Sequence, residues 1–293
     1  MRQKLFSIII PTYSRSAELA NCLEALACQR LPTDSFEVVV VDDGSPAPLD
    51  AVAQRFRDRL DITLLAVSHG GPAAARNQGA ERATGRFLAF TDDDCRPAPD
   101  WLQALKAYCT SLPDQMIGGR TLNALENNPY TATSQLIIDT AYGRYNASGV
   151  GEARFFASNN MALMADRFRA VDGFNRSFTT SEDRELCDRW LRHGYRMTYA
   201  PTAIVYHAHS LSLHGLWRQH FGYGRGAWRF HRMRKQCGGG PLRPDREFYQ
   251  RLAMAPFAQK PGRRTMIMAG LILTAQIANC AGFFCEAIRN NKY

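Results

Sequence analysis

Several absences narrow what this 293-residue chain can be. Its eight cysteines include no CxxC pair and no finger-like spacing, so neither a structural zinc module nor a disulfide-stapled domain is indicated, and reduced thiols are expected. The apolar stretch near the N-terminus, Leu5 to Ile10, stops at Pro11 and is too short for a signal-peptide core; a cytoplasmic protein is expected. Acidic residues are scarce beyond Tyr206, where three oppose fourteen Lys/Arg, a surplus of +11, while residues 1–205 carry about −2 of the formal +9. Such a basic region suits phosphate-rich ligands or an anionic membrane surface, and with no nucleic-acid-binding motif beside it no nucleic-acid partner is expected. Charge is missing altogether from Thr265 to Cys285, a run about long enough to cross a bilayer. Its Gln276, Asn279 and many small residues keep three roles open for the helix expected over 265–288: spanning a membrane, lying on one, or packing in a core or oligomer.

What is present is an alternation of strand and helix patterns. Phe6-Ser7-Ile8-Ile9-Ile10 suits a strand buried on both faces, and Ser16 is placed to cap a helix bearing Leu19, Leu23 and Leu26. A β-branched run, Phe36 to Val41, precedes a helix over Leu49–Leu60, a strand over Ile62–Val67, a Gly70-Gly71 turn, a helix over Pro72–Ala83 and a strand over Phe87–Thr91. Helices over Asp100–Ser111 and Tyr130–Tyr145 and strands over Met116–Leu122, Phe155–Leu163 and Thr198–Tyr206 follow. Units of this length predict an α/β layered domain with a mainly parallel central sheet.

In such sheets ligands lie beyond the carboxyl ends of the strands. Three polar clusters occupy such ends here: Pro11-Thr12-Tyr13, Asp42-Asp43 and Asp92-Asp93-Asp94. Three adjacent aspartates repel one another, and a divalent cation carrying a diphosphate would relieve that repulsion; the alternative is a solvated acidic turn leading into the next helix. Of Asn159 and Asn160, two amides inside a strand-like run, one is expected to staple the backbone and the other to face a ligand. Ser181 is placed to cap a helix with Glu182 and Asp183 in its first turn, either as dipole partners or with one of them as a general base.

The ordered motifs SIIIPTYSR, VVVVDDGS, GGPAAARNQGAERATGRFLAFTDDDC, NNMALMADRFRAVDGF and EDRELCDRW resemble the family 2 glycosyltransferases, over roughly residues 5–210. The resemblance implies a GT-A type, Rossmann-like domain over 1–210, followed by a basic helical extension over 211–293. It implies a hexosyltransferase-type enzyme that moves a sugar from a nucleoside diphosphate sugar, with a UDP-sugar favoured, to a hydroxyl acceptor. Inversion at the anomeric carbon and a Mn²⁺ or Mg²⁺ cofactor are further implications. Position by position, Pro11, Thr12 and Tyr13 match the segment that packs on the base, and Asp43, with Asp42 beside it, the carboxylate that hydrogen-bonds it. Arg76 and Asn77 match the segment near the nucleoside and sugar. Asp92 and Asp94 form the metal motif, with Asp94 the direct ligand and Asp93 facing ribose or sugar. Asp183 matches the catalytic base, with Glu182 second, and Asn160 and Gly173 the acceptor side.

The segment after Tyr206 is rich in His, Arg and aromatics. His207, His209 and His214 lack an HExxH-like frame, which speaks against a zinc site of their own; His207, directly after the strand, is the candidate to assist the donor-site metal or the diphosphate. Arg225 and Arg229 are candidates to clamp the diphosphate, or are surface charges on a helix bearing Trp217, Phe221 and Trp228. The expected acceptor is a glycan or a lipid-linked acceptor of cell-envelope or extracellular polysaccharide synthesis, reached at the cytosolic face of a membrane through the C-terminal helix; an oligomer is compatible with the same helix. A nucleotidyltransferase is the rival enzyme, although Pro11-Thr12-Tyr13-Ser14 is not a glycine- and arginine-rich phosphate loop. The non-enzyme rival is a nucleotide-sugar-binding protein of the same fold.

Overall fold

The continuous apolar run near the N-terminus forms β1 (Phe6–Thr12), buried along nearly its whole length. In the computed structural model, which describes residues 3–146, 149–238, 244–258 and 262–290, it is followed by α1 (Ser16–Ala27), β2 (Phe36–Asp42), α2 (Asp50–Gln54), β3 (Ile62–Ala66), α3 (Pro72–Arg82) and β4 (Phe87–Phe90). Next come β5 (Cys95–Pro97), α4 (Trp101–Ser111), β6 (Met116–Asn123), α5 (Pro129–Tyr145), β7 (Met161–Met164), α6 (Ala165–Ala170), α7 (Glu182–Arg192) and β8 (Met197–His207). The described chain closes with α8 (Leu213–Gln236), α9 (Arg246–Met254) and α10 (Arg263–Asn290).

The eight strands form one sheet in the order β3-β2-β1-β4-β7-β6-β8-β5. β3, β2, β1 and β4 run parallel, while β4–β7, β7–β6 and β8–β5 pair antiparallel. Burial on both faces explains the largely apolar sequences of β1 and β2, whose buried Ser7 donates to the buried Glu37 at 2.5 Å. Phe6, Ile8 and Ile10 join Leu19, Leu23 and Leu26 of α1 and Trp101, Leu102 and Leu105 of α4 in one core, while α3 lies against Ile9 and Val41 on the opposite face.

Four local expectations change. Ser16 is the first helical residue of α1 and Arg15 takes the cap position without a side-chain hydrogen bond. The helix expected to reach Leu60 ends at Gln54, because the following amides of Phe56, Arg57 and Arg59 bond three residues back and turn Phe56 and Leu60 into the core. The run Phe155–Leu163 is broken by a tight turn at Ser158–Asn160, and Ser181 adopts a left-handed φ of +68° instead of the extended backbone usual for an N-cap.

The chain divides into two compact units, Met1–Leu122 with Ser148–Ser177 and Asp183–Ala208, and Asn123–Ala147 with Phe178–Glu182 and His209–Tyr293. The first contains the sheet. In the second, α8 and α10 pack at backbone distance: a Cβ added to Gly224 would lie 1.9 Å from the Asn279 carbonyl oxygen, and one on Gly282 2.0 Å from that of Phe221. Ile137, Leu252, Ile272 and Ala275 add a small apolar core.

The same contact corrects the roles expected of Arg225 and Arg229. Their Nε atoms donate to Glu286 Oε2 and Oε1 at 2.6 and 2.7 Å, so both guanidiniums are held by a carboxylate on α10, whose residue is only 2% exposed. Burial pushes the Glu286 carboxyl upward, but the two guanidiniums outweigh it and hold its pKa down to about 2. A depressed carboxylate contributes stability above its unfolded pKa and loses it as pH falls through the folded value. Glu286→Gln should therefore cost about 3 kcal/mol at pH 7. Thermal unfolding of the variant should also show less destabilisation between pH 5 and pH 3 than the parent; equal acid sensitivity would contradict the assignment.

Candidate active site at the carboxyl edge of the sheet

In-register pairing sets Thr12 of β1 beside Asp42 of β2 and Ile9 beside Phe90 of β4, so the chain leaves three neighbouring strands at one edge. Asp42 accepts the Ser45 amide at 2.9 Å and closes the turn after β2. Asp43, buried, receives the amides of Gly70 and Gly71 on separate oxygens, at 2.7 and 2.9 Å, and anchors the loop that enters α3. Oδ1 retains a second lone pair that a ligand N–H can use. His69 Nδ1 lies 3.0 Å from Asp43 Oδ2, and its ring packs 4.7 Å from that of Tyr13, which is 46% exposed. Tyr13 thus offers an aromatic face at the rim. Pro11, the last but one residue of β1, is half-buried.

The three aspartates that follow β4 have different partners. Asp92 accepts Arg76 Nη2 at 2.6 Å, and the Arg76 guanidinium lies 5.5 Å over the Phe174 ring. Asp93 accepts the Thr12 hydroxyl at 2.8 Å, and Arg15 Nη1 bridges Asp93 and Asp94 at 3.1 and 3.0 Å. Asp94 also faces His207 Nε2 at 3.2 Å, while its carbonyl receives the Ala208 amide at 2.8 Å. Burial lifts the Asp93 carboxyl to about 6, against the Thr12 hydrogen bond and Arg15. Burial lowers the pKa of His207, but the hydrogen bond and charge of Asp94 outweigh it and hold the imidazole above its ordinary value. A candidate metal site is present around Asp94 and His207, where a carboxylate oxygen and an imidazole nitrogen converge. His209 follows two residues later in the sequence.

A second network ties the middle of α3 to α7. Asn77 clamps the Phe174 backbone from both sides, donating to its carbonyl at 2.7 Å and accepting its amide at 2.8 Å. The turn before Phe174 requires glycine: Gly173 has φ +61°, and a Cβ there would stand 2.7 Å from Asn77 Oδ1. The Gly173 carbonyl accepts Arg189 Nη2 at 2.6 Å, and Arg189 pairs with the buried Glu185 one turn before it on α7. Asp183, half-buried in the first turn of that helix, accepts the Arg184 amide at 2.7 Å, whereas Glu182 is buried.

Two expectations about the site change. The Asn77 amide serves the Phe174 backbone, which makes it a positioning group of the Gly173 turn. Asn160 is fully buried: its Oδ1 accepts the Trp101 indole at 2.9 Å and its Nδ2 donates to the Arg120 and Ala203 carbonyls, each at 3.0 Å. It staples α4, β6 and β8 and has no surface for an acceptor. Conversely, Arg15 and His69 were not singled out in the sequence. Arg15 follows the polar cluster after β1 by two positions, a spacing that could have drawn notice; His69 depends on a loop that only Asp43 organises.

The family profile described as Glycosyl transferase family 2 matches residues 7–171. Glycosyltransferase AglE of Haloferax volcanii is 28% identical over 204 residues, 69% of this chain and 66% of its own length. Validoxylamine A glucosyltransferase of Streptomyces hygroscopicus subsp. jinggangensis is 31% identical over 223 residues, 66% of this chain and 53% of its own. The chain thus spans less than two thirds of either relative. Among solved structures, the mannosyltransferase PcManGT from Pyrobaculum calidifontis, in complex with GDP-Man and Mn²⁺, superposes with a TM-score of 0.63 at 18% identity, covering 100% of this chain and 82% of that one. TarS residues 1–349 of Staphylococcus aureus, in complex with UDP-GlcNAc, gives 0.55 at 17%, covering 98% and 92%. These likenesses show the GT-A fold.

Asn160→Ala should leave an indole N–H and two carbonyls without partners and cost about 2–4 kcal/mol of stability, read as a lower melting temperature. A melting temperature equal to the parent's would contradict the stapling role.

Proposed function

Because the chain belongs to glycosyl transferase family 2, we propose that it transfers a sugar from a nucleoside diphosphate sugar to a hydroxyl acceptor, with inversion and with a divalent cation as cofactor. The observation that carries this proposal is the convergence of Tyr13, Asp43, the Asp92–Asp94 cluster and His207 at one edge of the sheet. The GDP-Man and UDP-GlcNAc of the structural neighbours support a nucleotide-sugar donor, and a UDP-sugar is the first choice to test.

The base stacks on Tyr13, and an N–H of the base donates to Asp43, whose carboxylate is held in place by Gly70 and Gly71. Asp93, fixed by Thr12, faces the ribose or donor sugar. Asp94 and His207 would hold the cation, and their oxygen and nitrogen donors would suit Mn²⁺ better than Mg²⁺, which prefers oxygen alone; once bound, it would supply positive charge for the leaving diphosphate. Arg15 and Arg76 set the orientation of the three carboxylates. Asp183, on the first turn of α7, accepts the proton of the attacking acceptor hydroxyl, and a single displacement gives inversion. Glu182, buried, is the second choice.

Residues 1–210 form the catalytic region in this proposal and 211–293 its basic extension. The acceptor in this proposal is a glycan or a lipid-linked acceptor of cell-envelope or extracellular polysaccharide synthesis, and the enzyme works at the cytosolic face of a membrane. The apolarity of α10 supports that association: it is the one helix among the described residues long and apolar enough to cross a bilayer.

Thermal shift with UDP, GDP and dTDP, each with and without Mn²⁺, should give cation-dependent stabilisation by one nucleotide; no shift with any of them would count against a nucleotide-sugar site. Asp94→Ala should abolish the Mn²⁺-dependent part of that shift. Asp183→Asn should lower turnover by about 10²–10⁴-fold with nucleotide affinity retained, and near-normal turnover would rule Asp183 out as the base.

A further inference from the structure

The two faces of α10 are built for different surroundings. Its inner face, Thr265, Ile272, Ala275, Ala278, Gly282 and Glu286, is buried. Its outer face exposes Met266, Leu273, Ile277, Phe284 and Ile288, each more than half accessible, with Gly270 and Cys280 completing the stripe. Solvent-facing helix surfaces are normally polar, and no charged side chain interrupts this one between Arg264 and Glu286. Tyr249 and Met254 of α9 and Phe257 just beyond it are exposed as well. Arginines stand at both ends of the stripe: Arg263 and Arg264 at its start and Arg289 at its end are all exposed. The only acidic residue of α10, Glu286, is turned inward to Arg225 and Arg229.

We propose that the outer face of α10 docks in the plane of an anionic lipid surface and does not span the bilayer. This deepens the membrane association of the proposed function and rests on that reading. Two observations exclude spanning. The inner face is locked to α8 at Gly224 and Gly282 and by the buried Glu286, so α10 cannot enter a bilayer alone. Nor can α8 accompany it, since that helix carries Arg218, Arg225, Arg229, Arg232, Arg234 and Lys235. Charge selects lipid over a second copy of the chain as the occupant. In a parallel pairing Arg263 and Arg264 would meet their own counterparts, in an antiparallel pairing they would meet Arg289, and α10 itself carries no outward carboxylate to offset either. An anionic headgroup layer supplies that complement, while the acyl boundary takes Leu273, Ile277 and Phe284.

The test is co-sedimentation of the full chain with phosphatidylcholine vesicles, with and without phosphatidylglycerol. Binding should require phosphatidylglycerol, weaken with salt, and be released by alkaline carbonate. Leu273→Asp with Ile277→Asp should abolish it while the melting temperature and the nucleotide-dependent thermal shift stay unchanged, because both side chains are exposed. Arg263→Gln with Arg264→Gln should weaken it about 30-fold, at about fivefold per arginine. Carbonate-resistant binding would overturn the proposal in favour of spanning. Absence of binding, with a dimer in analytical ultracentrifugation that the double aspartate variant dissociates, would overturn it in favour of self-association. Because the nucleotide-dependent shift is read separately, failure of vesicle binding leaves the donor-site proposal standing, and failure of the nucleotide shift with intact vesicle binding does the reverse.

Discussion

Three consecutive carboxylates at the end of one strand are the constraint around which the first unit is arranged. Left alone they would repel one another, and that repulsion would raise their affinity for protons. The structure answers with one basic partner drawn from each surrounding element: Arg76 from α3 on Asp92, Arg15 from the turn before α1 on Asp93 and Asp94, and His207 from the end of β8 on Asp94. Thr12 adds a hydroxyl from β1. The cluster therefore fixes the relative placement of two helices and two strands, and the most deeply compromised carboxyl, Asp93, is lifted to about 6 by the burial this requires.

The same arrangement explains why the surrounding loops are rigid at particular points. Asp43 uses both oxygens on the Gly70-Gly71 amides, Asn77 grips the Phe174 backbone, and Arg189 joins Glu185 to the Gly173 carbonyl. Each is a buried polar group whose partners are backbone atoms of a neighbouring loop, so its hydrogen bonds convert sequence-distant segments into one frame. Positioning of Asp183 at the head of α7 depends on this frame, since α7 is tied to the Gly173 turn one helical turn after Glu185.

The second unit solves a different problem, that of holding a nearly uncharged helix without a large core. Close backbone approach at Gly224 and Gly282 gains dispersion contacts, and the Arg225–Glu286–Arg229 group fixes the register, since a shift of one residue would leave a buried carboxylate unpaired. What remains is the outer stripe, which no described element covers.

The alternation of strand and helix, and the polar clusters at the ends of β1, β2 and β4, were legible in the sequence because unbroken apolar runs and strand-end turns are local signals. The resemblance of five ordered motifs carried the family. Short or interrupted elements were not legible: β5 has three residues, and the break at Ser158–Asn160 exists because Asn160 must reach Trp101, Arg120 and Ala203. Nor could local pattern decide which cations serve which carboxylates. Arg225 and Arg229 looked free to meet a diphosphate until α10 brought Glu286 between them, while Arg15 and His207, 192 residues apart in the numbering, meet on Asp94. Side-chain type and strand order follow from the chain itself, but pairing across long sequence separations is a property of packing, and only the tertiary structure settles it.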